Sequence, residues 1–499
     1  MNPQILQDLQ AFHPEMMITL TLLAVIVVDL AAPSIRKSAT FLIAALGLLL
    51  ALAFTVPLYG APQGTLFYGM VALDHMAVFF KGFLILTSFF VLLAAPGSRE
   101  LSKDHIGEFY ALLLGVTLGM VLLASAADLL MLFLSLETVS LGSYVMVGYL
   151  SNQRESNEAS LKYILFGAVS TGCMLYGITL LFGLTGTTKM AQIRDVIAQG
   201  AGSGNNSLML LVSTVLILAG FGFKTAAVPF HFWCPDVYTG APTPVTAFLS
   251  VAPKAAGFAT LIRFFFTGLS RTSVVGAQWS PFAAVNWTLL VLMISVVTMT
   301  LGNIAALRQD NMKRMLAYSS IAHAGYILMG PVVLSPLGLQ AVLVYLITYL
   351  FMNLGAFLVV IEIYNRTGSF DLKDYRGLWR RSPFLTISMT IFMLSLMGIP
   401  PLAGFFGKFY VFAAAVNGNL AWYAVVGALN SVVAVYYYAR VIKAMIIDAS
   451  VEGVEGGAIR LSWTSQVLVW IMLLPTAGLM LFWDRIQQLT SSSMHLFFG

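Results

Sequence analysis

Four ionisable residues stand deep inside apolar stretches of this sequence: Glu137, Lys224, Lys254 and Lys408. Lys224 and Lys254 belong to two apolar helix candidates, near 207–235 and 243–268. The stretch joining them runs Gly220-Phe-Gly-Phe-Lys224-Thr-Ala-Ala-Val-Pro229-Phe-His231-Phe-Trp-Cys-Pro-Asp236 and on through Ala-Pro-Thr-Pro to Pro253-Lys254. Lys408 follows a second break, Gly398-Ile-Pro400-Pro401-Leu-Ala-Gly404-Phe-Phe-Gly407. Glu137 sits about nine residues into its apolar run, roughly 13 Å deep at 1.5 Å per residue. A lysine at bilayer mid-depth costs roughly 2.5–3.5 kcal/mol on insertion scales, and broken backbone at that depth is tolerated where it is buried in protein or lines a water-filled cavity. The chemistry these groups share is proton transfer. Burial disfavours an ammonium and brings lysine from its reference pKa of about 10.4 toward the range where protons exchange. A carboxylate brought close restores the charged form; withdrawn, it favours release. A Glu/Lys pair of changing spacing is then a proton switch, and lysines one helix apart relay protons through intervening water. Lysine sites suit protons better than metal cations, which take oxygen ligands.

Each candidate also has a plainer reading. Glu137 could form a structural ion pair, and carbonyls freed at the Pro-Pro break could simply hold the Lys408 ammonium. Lys162 and Lys81 lie nearer span ends, where snorkelling to the interface competes with function. His231, beside Trp233 and Asp236, and His323, in Ser319-Ser-Ile-Ala-His323-Ala-Gly, divide evenly between packing and proton transfer.

The elements that must position these groups follow from composition. Hydrophobic residues make up 59% of the chain and charged residues 9%, against roughly 25% charged for a soluble domain. This is a membrane protein, and its net charge of +5 reflects short basic loops rather than nucleic-acid binding. Cys173 and Cys234 are the only cysteines, so two free thiols are expected and neither an iron–sulfur cluster nor a zinc site. The N-terminal residues lack a basic n-region and a small-residue cleavage site, so no removed signal peptide is expected.

Apolar runs of about twenty residues occur near 14–32, 38–58, 74–96, 108–126, 128–150, 159–184, 207–235, 243–268, 283–305, 312–333, 337–364, 383–416, 419–447 and 462–484. The expected fold is an all-α polytopic membrane protein of about 14 transmembrane helices. The two longest runs, 207–235 and 383–416, contain Gly/Pro interruptions and read as paired half-helices. They occupy corresponding places in spans 4–8 and 9–13. Five spans is an odd number, so the two groups form inverted repeats, with the broken helices pointing to the ion site. The expected division is a three-helix segment over 1–105, repeats over 106–270 and 280–448, and a C-terminal helix over 460–499. Gly-rich 451–459 reads as a loop. Loops after odd-numbered spans hold Arg36, Lys37, Arg99, Lys103, Arg154, Arg308, Lys313, Arg314, Arg366, Lys373, Arg376, Arg380, Arg381, Arg440, Lys443 and Arg460; those after even-numbered spans hold Lys189, Arg194 and Arg271. The positive-inside rule places odd loops in the cytoplasm and both termini in the periplasm.

Three segments together carry a resemblance: Phe223-Lys224 through Ala-Pro-Thr-Pro-Val245, Asn311-Met-Lys-Arg through His323-Ala-Gly325, and Gly398-Ile-Pro-Pro through Gly407-Lys408. The chain resembles the antiporter-like membrane subunits of bacterial respiratory complex I over essentially its whole length. Subunits L and M of that family usually place histidine-bearing motifs after the Ala-Pro-Thr-Pro segment, where this sequence reads Ser-Val-Ala-Pro-Lys254. The resemblance implies a proton-translocation role for Glu137, Lys224, Lys254 and Lys408, and a less secure one for Lys162. It implies no cofactor bound by this chain, with NADH, FMN, iron–sulfur clusters and quinone in partner subunits. The implied partners are other membrane subunits, especially the antiporter-like subunit M and the small subunit K, together with the lipid bilayer. No acid in the second half matches Glu137. The competing readings are a subunit of an Mrp-type cation/proton antiporter, one of a related membrane-bound hydrogenase, or a scaffold whose buried charges only hold helices together.

Overall fold

The computed structural model describes residues 3–31, 36–101, 103–201, 204, 206–272, 279–449, 459, 461–494 and 496. Arg460 and nearly all of the 451–459 loop lie outside them. The chain opens with a short amphipathic helix α1 (Pro3–Ala11) and three long helices, α2 (His13–Ala31), α3 (Arg36–Thr55) and α4 (His75–Ala94). Between α3 and α4 a small hairpin pairs β1 (Gly64–Leu66) antiparallel with β2 (Val71–Leu73).

Five crossings follow: α5 (Ile106–Ser125), α6 (Leu129–Val147), α7 (Arg154–Thr185), the broken pair α9 (Asn206–Thr225) and α10 (Trp233–Gly240), and α11 (Thr243–Arg263), with short α8 (Met190–Val196) in the α7–α9 connection. A second hairpin, β3 (Ser270–Thr272) with β4 (Trp279–Pro281), leads to the next five. These are α12 (Trp287–Ala306), α13 (Met312–Ile327) continued by a turn as α14 (Met329–Val332), α15 (Pro336–Thr367), the broken pair α17 (Pro383–Met397) and α18 (Ala403–Asn417), and α19 (Ala421–Ile446). Short α16 (Leu378–Arg381) precedes α17; α20 (Trp463–Gly478) and α21 (Trp483–Ser493) close the chain. Among the described residues, twelve helices are long and apolar enough to cross a membrane. The two other expected spans, 312–333 and 383–416, take the form of α13–α14 and the broken α17–α18. Fourteen crossings are thereby accounted for.

The two five-crossing units repeat each other in detail. Asp128 caps α6 by accepting from Leu130 N, and Asn311 caps α13 by accepting from Arg314 N. Each cap residue also forms an isolated backbone bridge to a residue after the third helix, Asp128 with Lys189 and Asn311 with Asp371. Those third helices, α7 and α15, both run 32 residues and both end on a left-handed glycine, Gly186 and Gly368, the conformation only glycine adopts without strain. The step from Asp128 to Asn311, 183 residues, recurs in the packing. Gly119 lies against Val139 and Gly302 against Ala322; Gly142 lies against Val116 and Gly325 against Met299. Small residues let the helix backbones approach at equivalent places.

The two units and the N-terminal helices close around α11, all of whose residues are buried. It packs against α4, α5, α9 and α15. Outer helices keep exposed leucines, among them Leu42 and Leu46 on α3 and Leu161 and Leu165 on α7, as suits a surface facing lipid.

Some basic residues depart from the sequence expectation. Lys81 does not snorkel: its Nζ lies 2.7 Å from Glu15 Oε1, with both side chains fully buried. Lys313, Arg314, Arg440 and Lys443, expected in loops, extend the helices α13 and α19. Lys313 is buried, donating to Ala241 O at 2.5 Å and facing Glu100 at 3.7 Å. A burial the sequence did not suggest is Arg263, whose two terminal nitrogens donate to the Asp74 carboxylate at 2.6 and 2.9 Å. Asp74 also caps α4 by accepting from Ala77 N, so one carboxylate fixes the start of α4 to the end of α11.

Candidate functional site

Lys224 ends the first half-helix of its broken crossing. α9 stops one residue later, at Thr225, and Ala226 after it has φ of +58°. The polar groups freed there find partners. Ala227 N donates to Gly222 O, Trp233 Nε1 to Phe223 O, and Val228 N to Thr298 Oγ1 on α12. The Lys224 side chain is buried and its Nζ donates to Ser140 Oγ at 3.0 Å. Its stem lies against α11 where Gly257 leaves room; a Cβ there would approach Lys224 Cβ to 3.3 Å.

Glu137 is one helical turn before Ser140 on α6. It is half-buried, and its shielded Oε1 has no hydrogen-bond partner among the described residues. No Glu137–Lys224 ion pair within 4.0 Å occurs among them. Ser140 meets the lysine and itself donates to Leu136 O at 2.7 Å, while Glu137 stands one turn earlier on α6. A shielded carboxylate oxygen without a hydrogen bond is costly.

Lys254 lies near the middle of α11. Its Nζ donates to Ser320 Oγ on α13 at 2.5 Å and lies 5.7 Å from the centre of the Tyr238 ring. Ser320 Oγ also accepts from Tyr349 OH at 2.8 Å. One turn further along α13, His323 is buried with both ring nitrogens engaged, Nδ1 with Tyr345 OH at 2.8 Å and Nε2 with Tyr438 OH at 3.2 Å. The His323 ring also meets the Tyr349 and Tyr326 rings. Lys408 completes the row. It sits in α18, beyond its break, and donates to Met397 O, a carbonyl released where α17 ends, at 2.9 Å. Its Nζ lies 5.0 Å from the Tyr326 ring centre, and Tyr326 OH is tied through Asn303 to Tyr437 OH. From Lys254 to Lys408 every step is a hydrogen bond or a ring contact; from Lys224 to Lys254 it is packing of the Lys224 stem on α11.

Lys162 and His231 stand apart from this row. Lys162 Nζ lies 2.8 Å from Glu158 and 2.7 Å from Asp236, whose other oxygen lies 2.6 Å from Arg314 NH1. These partners draw α7, α10 and α13 together at a partly exposed edge. His231, in the break, stacks on Phe232, and its Nδ1 has no partner among the described residues.

Sequence reasoning missed the hydroxyls: Ser140, Ser320, Tyr345, Tyr349 and Tyr438. The 183-residue step was the available signal. It sets Ser320 where the first unit has Glu137, and His323 where it has Ser140. The position lacking an acid in the second unit thus holds the serine that binds Lys254.

Comparison with known proteins places this arrangement. The family model for the transmembrane region of NADH:quinone oxidoreductase and Mrp antiporter subunits matches residues 126–434. The chain is 46% identical over 503 aligned positions to NADH-quinone oxidoreductase subunit N of Anaeromyxobacter sp. (strain Fw109-5), covering 98% of this chain and 97% of that one. The chain belongs to the NADH-quinone oxidoreductase subunit N family. A chain of respiratory complex I from Thermus thermophilus superposes with a TM-score of 0.79 at 31% identity, covering 96% of this chain and 99% of that one. A chain of the Mrp complex from Dietzia sp. reaches a TM-score of 0.83 at 20% identity over 98% of each chain, a likeness of fold. For this subunit N family member, the region matched by the family model contains Glu137, Lys224, Lys254, His323 and Lys408, while α1–α5, α20 and α21 lie outside it.

Proposed function

We propose that this chain is the proton-translocating subunit N of a bacterial NADH-quinone oxidoreductase, embedded as a multi-pass protein in the cell inner membrane. It couples NADH oxidation and quinone reduction, carried out in partner subunits that hold NADH, FMN, iron–sulfur clusters and quinone, to proton movement through its own interior. The observation that carries the reading is the row from Lys254 through Ser320, Tyr349, His323 and Tyr326 to Lys408, with Tyr345 and Tyr438 hydrogen-bonded to His323. Every member is a group that can give or take a proton, and the row is enclosed by apolar helices.

In this mechanism Lys224 and Lys254 hold protons in the first unit and Lys408 in the second. Glu137 acts on Lys224 through its charge. When its charge is present, the lysine keeps its proton; when that charge is compensated from outside, the lysine releases it. Ser320 receives from Lys254, and His323 hands on between the tyrosines flanking it. Lys162 and His231 take lesser roles, at the edge and in the break. The four-part division, with units over 106–270 and 280–448, is supported by the recurring step of 183 residues. Subunits M and K are the proposed neighbours. The bias of Lys and Arg toward odd-numbered loops supports periplasmic termini. An Mrp-type antiporter shares the fold, but Lys254 in its Ser-Val-Ala-Pro setting and 46% identity to a subunit N favour the oxidoreductase.

The test is NADH-driven proton uptake by the reconstituted complex. Lys254→Met, assembled at normal levels, should lose most of its uptake. Uptake and quinone reduction at the parental rate would return the row to a scaffold.

A further inference from the structure

A cleft of about 1160 Å³ opens where the start of α3, the α4–α5 connection, the end of α15 and the start of α20 meet. None of the groups in the proton row lines it. Its rim carries four cations, Lys37, Arg99, Lys103 and Arg366, all on exposed positions. Lys37 is paired with Asp104 at 2.8 Å. Arg99, Lys103 and Arg366 have no carboxylate within 4.0 Å among the described residues. The rim is built rather than incidental. Asn365 accepts from Arg99 N at 2.9 Å and donates to Gly97 O at 2.7 Å, which fixes the α4–α5 turn beside the end of α15. Three unpaired cations are thereby held around one mouth against mutual repulsion. The lining acid, Glu362, lies one turn below Arg366.

Beneath the rim the walls are apolar: Phe41, Leu42, Leu93, Leu358, Leu468 and Ile471. From Ser462 at the mouth to Ile471 the α20 wall descends nine residues, about 13 Å, close to the depth of one leaflet. The cleft also opens sideways. Leu42 is 55% exposed and continues along α3 into Leu46 and Leu49, both exposed. Trp463 stands at the mouth, 77% exposed, the residue type that settles at headgroup level.

We propose that this cleft binds an anionic diacyl phospholipid, its phosphate on Arg99, Lys103 and Arg366 and one acyl chain along the Leu42–Ile471 walls. Basic pockets between transmembrane helices take anionic headgroups, and guanidinium groups grip phosphate oxygens in pairs. Free phosphate would leave the walls uncovered. A zwitterionic lipid would bring its own ammonium to a cationic rim. A soluble protein segment could reach the rim but not the lateral opening onto α3. The bound lipid joins the N-terminal helices to α15 and α20, a seam with few other polar ties.

The experiment uses the whole complex, delipidated in detergent and incubated with phosphatidylglycerol or with phosphatidylcholine of the same chains. Lipid retained on this subunit is counted by native mass spectrometry. One phosphatidylglycerol should stay bound where phosphatidylcholine does not. Lys103→Gln/Arg366→Gln should weaken that retention about thirtyfold, from the contribution of each cation near an anionic headgroup. Both side chains are exposed, so folding is not at risk. Lys373→Gln/Lys443→Gln, which removes the same charge elsewhere, should leave retention unchanged. Equal retention of both lipids, or an unchanged count in the rim variant, would overturn the proposal. So would efficient cross-linking from Ser465→Cys to a partner chain, which would assign the cleft to protein.

Discussion

Replacing Lys408 by arginine separates proton release from anchoring. The ammonium makes two contacts, a hydrogen bond to Met397 O at 2.9 Å and the face of Tyr326 at 5.0 Å. Both are open to a guanidinium. The stem is close to Gly398, where a Cβ would come within 2.9 Å of Lys408 Cδ, but arginine shares that part of the stem. Anchoring alone therefore predicts a tolerated change. Release predicts failure. Reference pKa values of about 10.4 for lysine and 12.5–13.8 for arginine differ by roughly 2–3.4 units, or about 3–4.6 kcal/mol. The same site would empty an arginine roughly 100- to 2500-fold less often. In inverted membrane vesicles, with acidification normalised to complex assembled, Lys408→Arg should lose most of its NADH-driven pumping and much of its coupled quinone reduction. Near-normal pumping would refute the relay and leave Lys408 as the clasp of a broken helix.

Three further outcomes follow from the geometry. Ser320→Ala removes the oxygen shared by Lys254 and Tyr349; a hydrogen bond to a charged group contributes about 1.5–3 kcal/mol, so pumping should fall roughly tenfold or more, and adding Tyr349→Phe should cost little extra. Glu137→Gln and Lys224→Ala should be non-additive in coupled turnover; strict additivity would mean the acid does not act on the lysine. Asp74→Asn should destabilise the subunit by about 3–5 kcal/mol by stranding Arg263, seen as lower levels in the membrane and a lower unfolding temperature. Asp74→Leu/Arg263→Met should recover much of that loss; no recovery would show that the pair does more than neutralise itself.

The sequence makes the broken helices and their lysines visible because each violates its surroundings. A lysine among leucines and a Pro-Pro inside an apolar run stand out without any knowledge of the partners. The hydroxyls give no such signal. Ser320 and Tyr349 are ordinary residues of apolar helices, and Ser320 gains its meaning only from Lys254, 66 positions away. Lys81 misled for a related reason. It sits near a span end, where snorkelling is the cheaper solution, and only the folding of α2 and α4 onto α3 and α5 brings Glu15 to it out of water. Arg263 and Asp74, 189 positions apart, hid in the same way. The Glu137–Lys224 pairing was expected from complementary charge, but charge says nothing of the serine that meets the lysine.

The enclosure of α11 has a consequence for how the chain is made. Every residue of α11 ends buried in protein, yet α15, one of its walls, emerges only about a hundred residues later. At roughly 5–20 residues per second, α11 spends about 5–20 s in the bilayer half-clothed. Its two cations wait differently. Arg263 meets Asp74 on α4, already synthesised, and is neutralised on arrival. Lys254 has no such host, because Ser320 and Tyr349 belong to helices still in the ribosome. The residue at the centre of the finished relay is thus the charge of α11 that goes longer unsheltered during biogenesis. Chains stalled between α11 and α15 should be the ones that membrane quality control finds first.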